Sequence, residues 1–425
     1  MHPVLTRTRD LAVLLLAPAL AGLVGFLQIT HSRLVMLGTA GVALVGLVAA
    51  SPAVLPVLAV PATWVPNQRV AGLLSVGDAV LAAAAVLVLL DTTRAPLSRT
   101  GRNLVAVLGL LLATDAIAVL AHPTRQGGQE IVHRLILVGG GILVGAWLTE
   151  RGKLPVALRL LVTVSLPFAL VAIADRLVTG QAAYPFGYHK NFAGPGFATA
   201  AILLLVVPAA FPLSARSWLR WGSFGILIAG LLATSSRGAI LGFALAVTVW
   251  LLRPGTGHRR VNPIIGVSLV LGLGYVGVSS VQSQLNDQAT GRVTIDSITS
   301  RRMTEAATRD LFRTSPLTGV GLRFFTTADF PNTPAPNNMF DEALAEAGVI
   351  GAAGLALFVG GGVVLTYRIR TPIGQAANMV LVATFFHGQV DYFWANGQAL
   401  NWLVVGTAVA CLSEPTSSRP EHVQS

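Results

Sequence analysis

The sequence predicts an all-α fold: a polytopic transmembrane helical bundle with one long extracytoplasmic loop that carries short amphipathic helices. Three observations support this prediction. Only 11% of the residues are charged, against about 25% in a typical soluble protein. Apolar runs near the length that crosses a bilayer as a helix recur along the chain. A single long polar segment, residues 282–346, interrupts them.

The apolar runs predict about 12 to 14 crossings. Residues 34–65 are ambiguous because three prolines interrupt them, and a pair of half-helices is an alternative there. The first run follows Arg7 and Arg9 without a clear cleavage site, so we interpret it as a retained helix. The predicted parts of the chain are transmembrane helices over 1–281, the extracytoplasmic loop 282–346, transmembrane helices over 347–412, and a disordered cytoplasmic tail, 413–425.

The distribution of Lys and Arg predicts the orientation of these crossings. With a cytoplasmic N-terminus, the inner segments carry fifteen Lys and Arg residues and the short outer segments carry seven. Because cytoplasmic loops are enriched in these residues, we expect a multi-pass protein of the cytoplasmic membrane with both termini inside. The same bias accounts for the net charge of +11, so no nucleic-acid partner is expected.

The long loop contains recognisable local signals. Met303, Ala307 and Leu311 recur at four-residue spacing, which predicts a helix over 296–312. The glycines and proline of 315–321 predict a turn. Asn338 or Asn337 is a plausible N-cap for a helix that starts at Met339 and enters the membrane, with Asp341 and Glu342 in its first turn.

Two further polar clusters fall on the predicted outer face. In TSSRGA (234–239), Arg237 offers a planar fork for phosphate oxygens at a helix start, beside Ser236. The alternative is an arginine that extends to the lipid headgroups, with serine caps. In GYHKNFAG (187–194), Lys190 suits a phosphate, Asn191 suits sugar hydroxyls and His189 suits a proton. An exposed polar loop is the alternative.

Other polar residues give weaker signals. Arg301 and Arg302 start the loop helix, where a solvated or headgroup contact is the common role. Asp115 and His387 lie within apolar runs, and hydrogen bonding between helices is the expected role for each. The sequence shows no metal-ligand spacing, phosphate-binding loop or dinucleotide fingerprint, so neither a metal nor a cofactor is predicted.

The order of three motifs resembles the O-antigen ligase and polysaccharide polymerase family. These are SSRGA, then R-x-x-x-x-x-A-x-x-x-x-F-x-x-x-PLTGVG (301–321), then NNMFDEALAEAGVIG (337–351). The resemblance implies a bundle of about a dozen crossings and transfer of a glycan from a polyprenyl-pyrophosphate carrier, with inversion and without a metal. It further implies that Arg237 and Arg301 bind the diphosphate, with Arg302, Lys190, Asn191, Ser236 and Asn338 as further substrate-binding candidates.

One departure from the family pattern affects the predicted catalytic group. The family usually has His-Asn where this chain has Asn337-Asn338, and that histidine is thought to assist the acceptor nucleophile. Asn337 orients a hydroxyl but is no general base at neutral pH. Either positioning and leaving-group stabilisation suffice, with Asn337 in that role, or His189 or Asp341 acts as the base.

The sequence therefore leaves three functional hypotheses. The first is a membrane glycosyltransferase that polymerises or ligates cell-surface polysaccharide from undecaprenyl-pyrophosphate-linked donors, with a glycan, lipid or protein as acceptor. The second is a transporter or flippase for a lipid-linked glycan, which needs similar headgroup contacts. The third is a catalytically altered family member that acts as a scaffold, a hypothesis that Asn337 keeps open.

Overall fold

The architecture is described from a computed structural model of the chain. The described residues are 51, 53–62, 69–70, 74–91, 99–211, 217–253, 295–326, 336, 338–390 and 399–410. The first apolar run, residues 34–50 of the ambiguous region, residues 263–281 of the predicted transmembrane part, the tail 413–425 and Asn337 lie outside them.

The described residues form an all-α fold, which confirms the predicted class. The only strands among them are two two-residue segments, Arg69–Val70 and Leu74–Ser75, paired antiparallel. The helices are α1 (Val54–Ala62), α2 (Val76–Leu90), α3 (Arg99–Ala121), α4 (Arg125–Glu150), α5 (Leu154–Thr179), α6 (Lys190–Val206), α7 (Ser217–Ala233), α8 (Arg237–Leu252), α9 (Ile295–Thr314), α10 (Met339–Tyr367), α11 (Pro372–Val390) and α12 (Ala399–Ala410).

Four of these helices, α3, α4, α5 and α10, are long and apolar enough to cross a membrane. Several others among the described residues are apolar but shorter, including α6, α8 and α12. Large apolar side chains such as Leu120 and Leu177 are exposed on the outside of the bundle, at 81% and 80%. In a helical bundle of this composition such surfaces face lipid, and the protein is membrane-embedded.

The α8–α11 and α3–α10 helix pairs run antiparallel, and their contacts show which helix ends lie together. In the α8–α11 pair, Gly242 approaches Ala383, and the indole N–H of Trp250 donates to Gln375 Oε1 at 2.8 Å. This register brings the start of α8 to the level of Gly388 at the end of α11. A side chain added at Gly388 would meet Met339 Sδ at 2.8 Å. The first turns of α8 and α10 therefore lie at one end of the bundle.

The same end collects the other segments that the sequence analysis singled out. In the α3–α10 pair Thr114 approaches Gly354, so the end of α3 meets the start of α10. The backbone N–H of Ala183, before α6, donates to the carbonyl of Ala233 at the end of α7, at 3.0 Å. We call this end, marked by His122, Ala183, Ser236 and Met339, the polar end.

Arginines at the opposite end cap helix C-termini. Arg220 donates to the carbonyls of Leu204 and Leu205, at 3.0 and 3.1 Å. Arg253 donates to the carbonyl of Tyr367, the last residue of α10, and to that of Ile369 at 3.1 Å. These side chains satisfy carbonyl groups that the last turn of a helix leaves unpaired. Their role at that end is structural.

Two local predictions are made more specific by the structure. Residues 187–194, for which an exposed polar loop was the alternative, are partly helical: α6 starts at Lys190 and the second half of that segment is its first turn. The expected run 53–65 is represented by α1, whose described length is nine residues. In contrast, α8 starts at Arg237 and α10 starts at Met339 with Asn338 as its N-cap, as predicted; Asn338 Oδ1 accepts from the N–H of Phe340 at 2.8 Å.

Candidate substrate site

Helix α10 is broken at Gly348, and the loop turn 315–321 is inserted at the break. Gly348 has φ 65° and ψ −165°, values that no helical residue adopts. A broken membrane helix leaves carbonyls before the break and N–H groups after it without helical partners. Here the turn supplies those partners. Four backbone hydrogen bonds join the two segments. In the turn, the N–H groups of Val320 and Gly321 donate to the carbonyls of Ala345 and Glu346, both at 2.9 Å. After the break, the N–H groups of Val349 and Ile350 donate to the carbonyls of Pro316 and Leu317, at 2.9 and 3.3 Å.

The fit between turn and helix leaves no space for side chains at the two facing glycines. A Cβ at Gly348 would lie 2.3 Å from the carbonyl carbon of Leu317. A Cβ at Gly319, where φ is 67°, would lie 2.3 Å from the backbone N of Ala347. Both glycines also have a positive φ, which side chains disfavour. The PLTGVG and EAGVIG motifs are thus two halves of one backbone clamp.

Arg323 follows the turn and joins it to α4. Its backbone N–H donates to Glu346 Oε2 at 3.0 Å, and its guanidinium contacts Glu130 and His133. Arg323 is one of the few described residues other than glycine with a positive φ, at 63°. The surrounding contacts hold this unfavourable backbone conformation. The loop is thereby connected to both α10 and α4.

A buried network of charged residues extends from Arg323 across three helices. Arg134 donates to Glu130 Oε1 at 2.9 Å and to Asp115 Oδ2 at 2.8 Å. The expected helix-to-helix hydrogen bonding of Asp115 is confirmed. Paired and hydrogen-bonded charges of this kind are tolerated in a low-dielectric interior. We call Asp115, Glu130, His133, Arg134, Arg323, Glu342 and Glu346 the charged network.

The sequence analysis did not identify most of the charged network. The sequence pattern that could have indicated part of the network is EIVHR (130–134). Its spacings of three and four residues place Glu130, His133 and Arg134 on one face of a helix. His133 Nε2 also lies 3.3 Å from Asp78 Oδ2 on α2. After this face, residues 135–140 form a π-helical turn, a feature that is frequent near functional sites.

Glu130 is the centre of this network, so its replacement should destabilise the protein. Its side chain is 2% exposed and contacts both arginines. Glu130→Gln should lower the free energy of unfolding by about 3 kcal/mol, because a buried charge pair loses one partner. Thermal unfolding of detergent-purified protein measures the effect. The matched control is Asp310→Asn, whose side chain is 72% exposed and should cost less than about 1 kcal/mol. Equal melting temperatures for the two variants would contradict the assignment.

A second polar region lies where α6 meets the corner between α7 and α8. His189 is the N-cap of α6, and its Nδ1 accepts from the N–H of Asn191 at 3.3 Å. A Cβ at Gly194 would lie 3.1 Å from Ser236 Cβ, so the two backbones approach closely. Asn191 is three residues before Gly194 and shares its helix face. The two predicted clusters, 187–194 and 234–239, are therefore adjacent, and we call this contact the helix corner.

The helix corner contains buried polar atoms that make no hydrogen bond within the described part of the chain. They are Asn191 Oδ1 and Ser236 Oγ, in side chains that are 9% and 1% exposed. A buried polar atom without a partner costs about 1–3 kcal/mol. Arg237 follows Ser236 directly and is partly exposed. Burial raises the pKa of the Tyr188 phenol nearby, so this group stays protonated at neutral pH.

The remaining predicted residues lie on the loop side. Arg302 is exposed on α9, and Arg301 is in the same helix, with its side chain outside the described part. The carboxyl of Asp341 interacts with Glu305 and Arg309 of α9. Lys190 is the first residue of α6. Within the described residues, no group of three His, Cys, Asp or Glu side chains could hold a metal ion.

Taken together, the apolar bundle and the clamped loop define a multi-span, all-α membrane protein with its polar residues gathered at one end. The O-antigen ligase family model matches residues 222–356. This segment of the chain is similar to the O-antigen ligase family, which confirms the resemblance noted in the motifs. The comparison with curated proteins gave no match.

The matched segment covers part of the candidate site. It contains Ser236, Arg237 and the backbone clamp, whereas Asn191 and Glu130 lie outside it. The match supports a glycosyltransferase of the O-antigen ligase or polymerase type in general, a membrane environment, and lipid-linked glycans as the class of substrate that the family implies.

Proposed function

We propose that the protein transfers a glycan from an undecaprenyl-pyrophosphate carrier to an acceptor hydroxyl at its polar end. The observation that carries the proposal is the helix corner. There two segments that are far apart along the chain bring Asn191, Ser236 and Arg237 together, and two buried polar atoms make no hydrogen bond with the described residues. Unpaired buried donors and acceptors are what a site presents when its ligand supplies the partners.

The chemistry of these residues suits a diphosphate leaving group. Arginine binds phosphate oxygens through a planar fork, and the free N–H groups at the start of α8 favour an anion. Ser236 Oγ adds a hydroxyl donor, and Lys190 begins the adjacent helix. Charge that develops on the leaving diphosphate is stabilised by such preorganised donors. Asn191 is placed to bind sugar hydroxyls.

We further propose the finer features of the reaction. Attack by the acceptor on the face opposite the diphosphate inverts the anomeric carbon, and the cationic groups make a metal unnecessary. Arg301 is proposed to complete the diphosphate site from α9, with Arg302 and Asn338 at its rim. The positive-inside distribution supports an outer location of the polar end at the cytoplasmic membrane. Polymerase and ligase activity differ in the acceptor.

The arrangement supports a transferase better than a transporter. A transporter commonly has its substrate site near the midplane, between repeated halves. In the described bundle the helix corner and the backbone clamp both lie at the polar end, and arginines at the opposite end cap helices.

Analysis of envelope glycans by mass spectrometry tests the proposed function. A strain that lacks the gene should accumulate lipid-linked repeat units and lose the mature polymer, and the wild-type gene should restore it. The matched control is complementation with Asp310→Asn, an exposed position on α9. Unchanged glycans in the deletion strain would contradict the proposal.

A further inference from the structure

Glu342 is a buried carboxyl of the charged network that lines a small pocket at the polar end. It lies one helical turn before Glu346 on α10 and is 6% exposed. The pocket is also lined by Asp115, Arg134, Glu346 and Met339, among others. Its polar wall therefore contains three carboxyl groups and one guanidinium.

Glu342 differs from the other acids of the network in its hydrogen bonds. Asp115 and Glu130 accept from Arg134, and Glu346 accepts from the backbone N–H of Arg323. No hydrogen bond within the described part of the chain ends on the carboxyl oxygens of Glu342. Both arginines of the network are already bound to other carboxylates.

The charges that face Glu342 do not favour a second buried anion. On its own helix it faces Glu346; on α3 and α4 it faces Asp115, Glu130 and Arg134, and on the loop Arg323. A buried carboxyl without hydrogen bonds costs stability. Strained or unsatisfied groups of this kind are concentrated at functional sites. The pocket therefore contains a carboxyl group that accepts no hydrogen bond from the described residues and is positioned to accept a proton from a bound ligand.

Met339 links this pocket to the helix corner. It lines the pocket, and it also contacts the position of Gly388, which the α8–α11 register places at the level of Arg237. The pocket and the start of α8, where the proposed diphosphate site lies, are therefore at the same level of the bundle. An acceptor hydroxyl between them would have a carboxyl on one side and the leaving group on the other.

We propose that Glu342 is the catalytic residue that accepts the proton of the acceptor hydroxyl, an inference that rests on the proposed function. The acceptor oxygen forms a bond to the anomeric carbon as the bond from that carbon to the diphosphate oxygen breaks. The hydroxyl proton passes to the Glu342 carboxylate, and the electron pair of the broken bond leaves with the diphosphate. Glu342 thereby supplies the base that Asn337 does not.

Glu342→Gln tests the proposal because it preserves shape and removes the base. In liposomes that contain the full-length protein and lipid-linked glycan extracted from the deletion strain, transfer should fall by about 10²–10⁴-fold, the usual contribution of a general base. The wild-type rate should rise with pH as the base loses its proton, and the residual rate of Glu342→Gln should lack this rise. Binding of the donor should persist, because the diphosphate contacts are retained.

Stability separates a catalytic from a structural role. Glu342 has no hydrogen bond to lose within the described part of the chain, so Glu342→Gln should keep or raise the melting temperature, whereas Glu130→Gln should lower it. Loss of transfer together with a fall in melting temperature as large as that of Glu130→Gln would overturn the proposal. Transfer within about threefold of wild type would also overturn it.

The comparison with Arg237→Ala identifies which proposal fails. An active Glu342→Gln beside an inactive Arg237→Ala would refute the role of Glu342 and leave the proposed function intact. Full activity of both variants would refute the proposed function as well.

Discussion

An Arg237→Ala variant is expected to reach the membrane in normal amounts and to assemble no surface polymer. Arg237 begins α8 beside the buried Ser236 and is itself partly exposed. Its removal takes away the bidentate phosphate contact and the charge that stabilises the leaving group. Loss of one preorganised donor of this kind costs about 10²–10³-fold in rate, which should abolish detectable polymer. Electrophoresis of envelope glycans, with quantification of lipid-linked repeats, measures it.

Two companion variants define the specificity of this effect. Arg237→Lys keeps the charge but loses the planar fork, and it should recover only part of the polymer. Arg313→Ala removes an arginine that is 71% exposed on α9 and should leave polymer length unchanged. Full-length polymer in the Arg237→Ala strain would show that the diphosphate assignment is wrong.

A Gly348→Val substitution is expected to prevent stable folding. The added side chain would overlap the Leu317 carbonyl, and a β-branched residue strongly disfavours φ of 65°. The turn would have to leave the helix break, and the four backbone hydrogen bonds between them would be lost. We expect a cost of at least about 4 kcal/mol. Size-exclusion chromatography of the detergent-solubilised protein should show aggregate in place of a single species.

The control for Gly348→Val lies in the same helix. Gly360 has a helical backbone, and a Cβ there would meet no atom within 4 Å. Gly360→Ala should therefore be neutral or stabilise the helix by up to about 1 kcal/mol. A Gly348→Val variant as monodisperse as Gly360→Ala would contradict the clamp between turn and helix.

The sequence predicted features that depend on local chemistry. The apolar runs gave most described helices to within a few residues, because bilayer thickness sets their length. Arg237 and Met339 were predicted as helix starts since their caps, Ser236 and Asn338, are adjacent in the chain. The turn at 315–321 followed from its glycines and proline.

Features that depend on tertiary contacts could not be predicted in this way. Glu130 and Arg323 are 193 residues apart along the chain, and no local pattern pairs them. The break at Gly348, where the turn is inserted, could not be predicted from that glycine, because glycine is common in unbroken membrane helices as well. An exposed loop was the alternative reading for Asn191, whereas it lies in the first turn of α6 and is buried where Gly194 approaches Ser236. The absence of a hydrogen bond on the Glu342 carboxyl, among the described residues, becomes visible only when the partners of the other carboxyl groups of the charged network are known.

A structure of the reconstituted protein with a lipid-linked glycan bound tests the central claim most directly. The account predicts the diphosphate at the helix corner, within hydrogen-bond distance of Arg237 and Ser236, about 2.7–2.9 Å, and the first sugar near Asn191. A diphosphate at the opposite end of the bundle, or near its midplane away from Arg237, would contradict it.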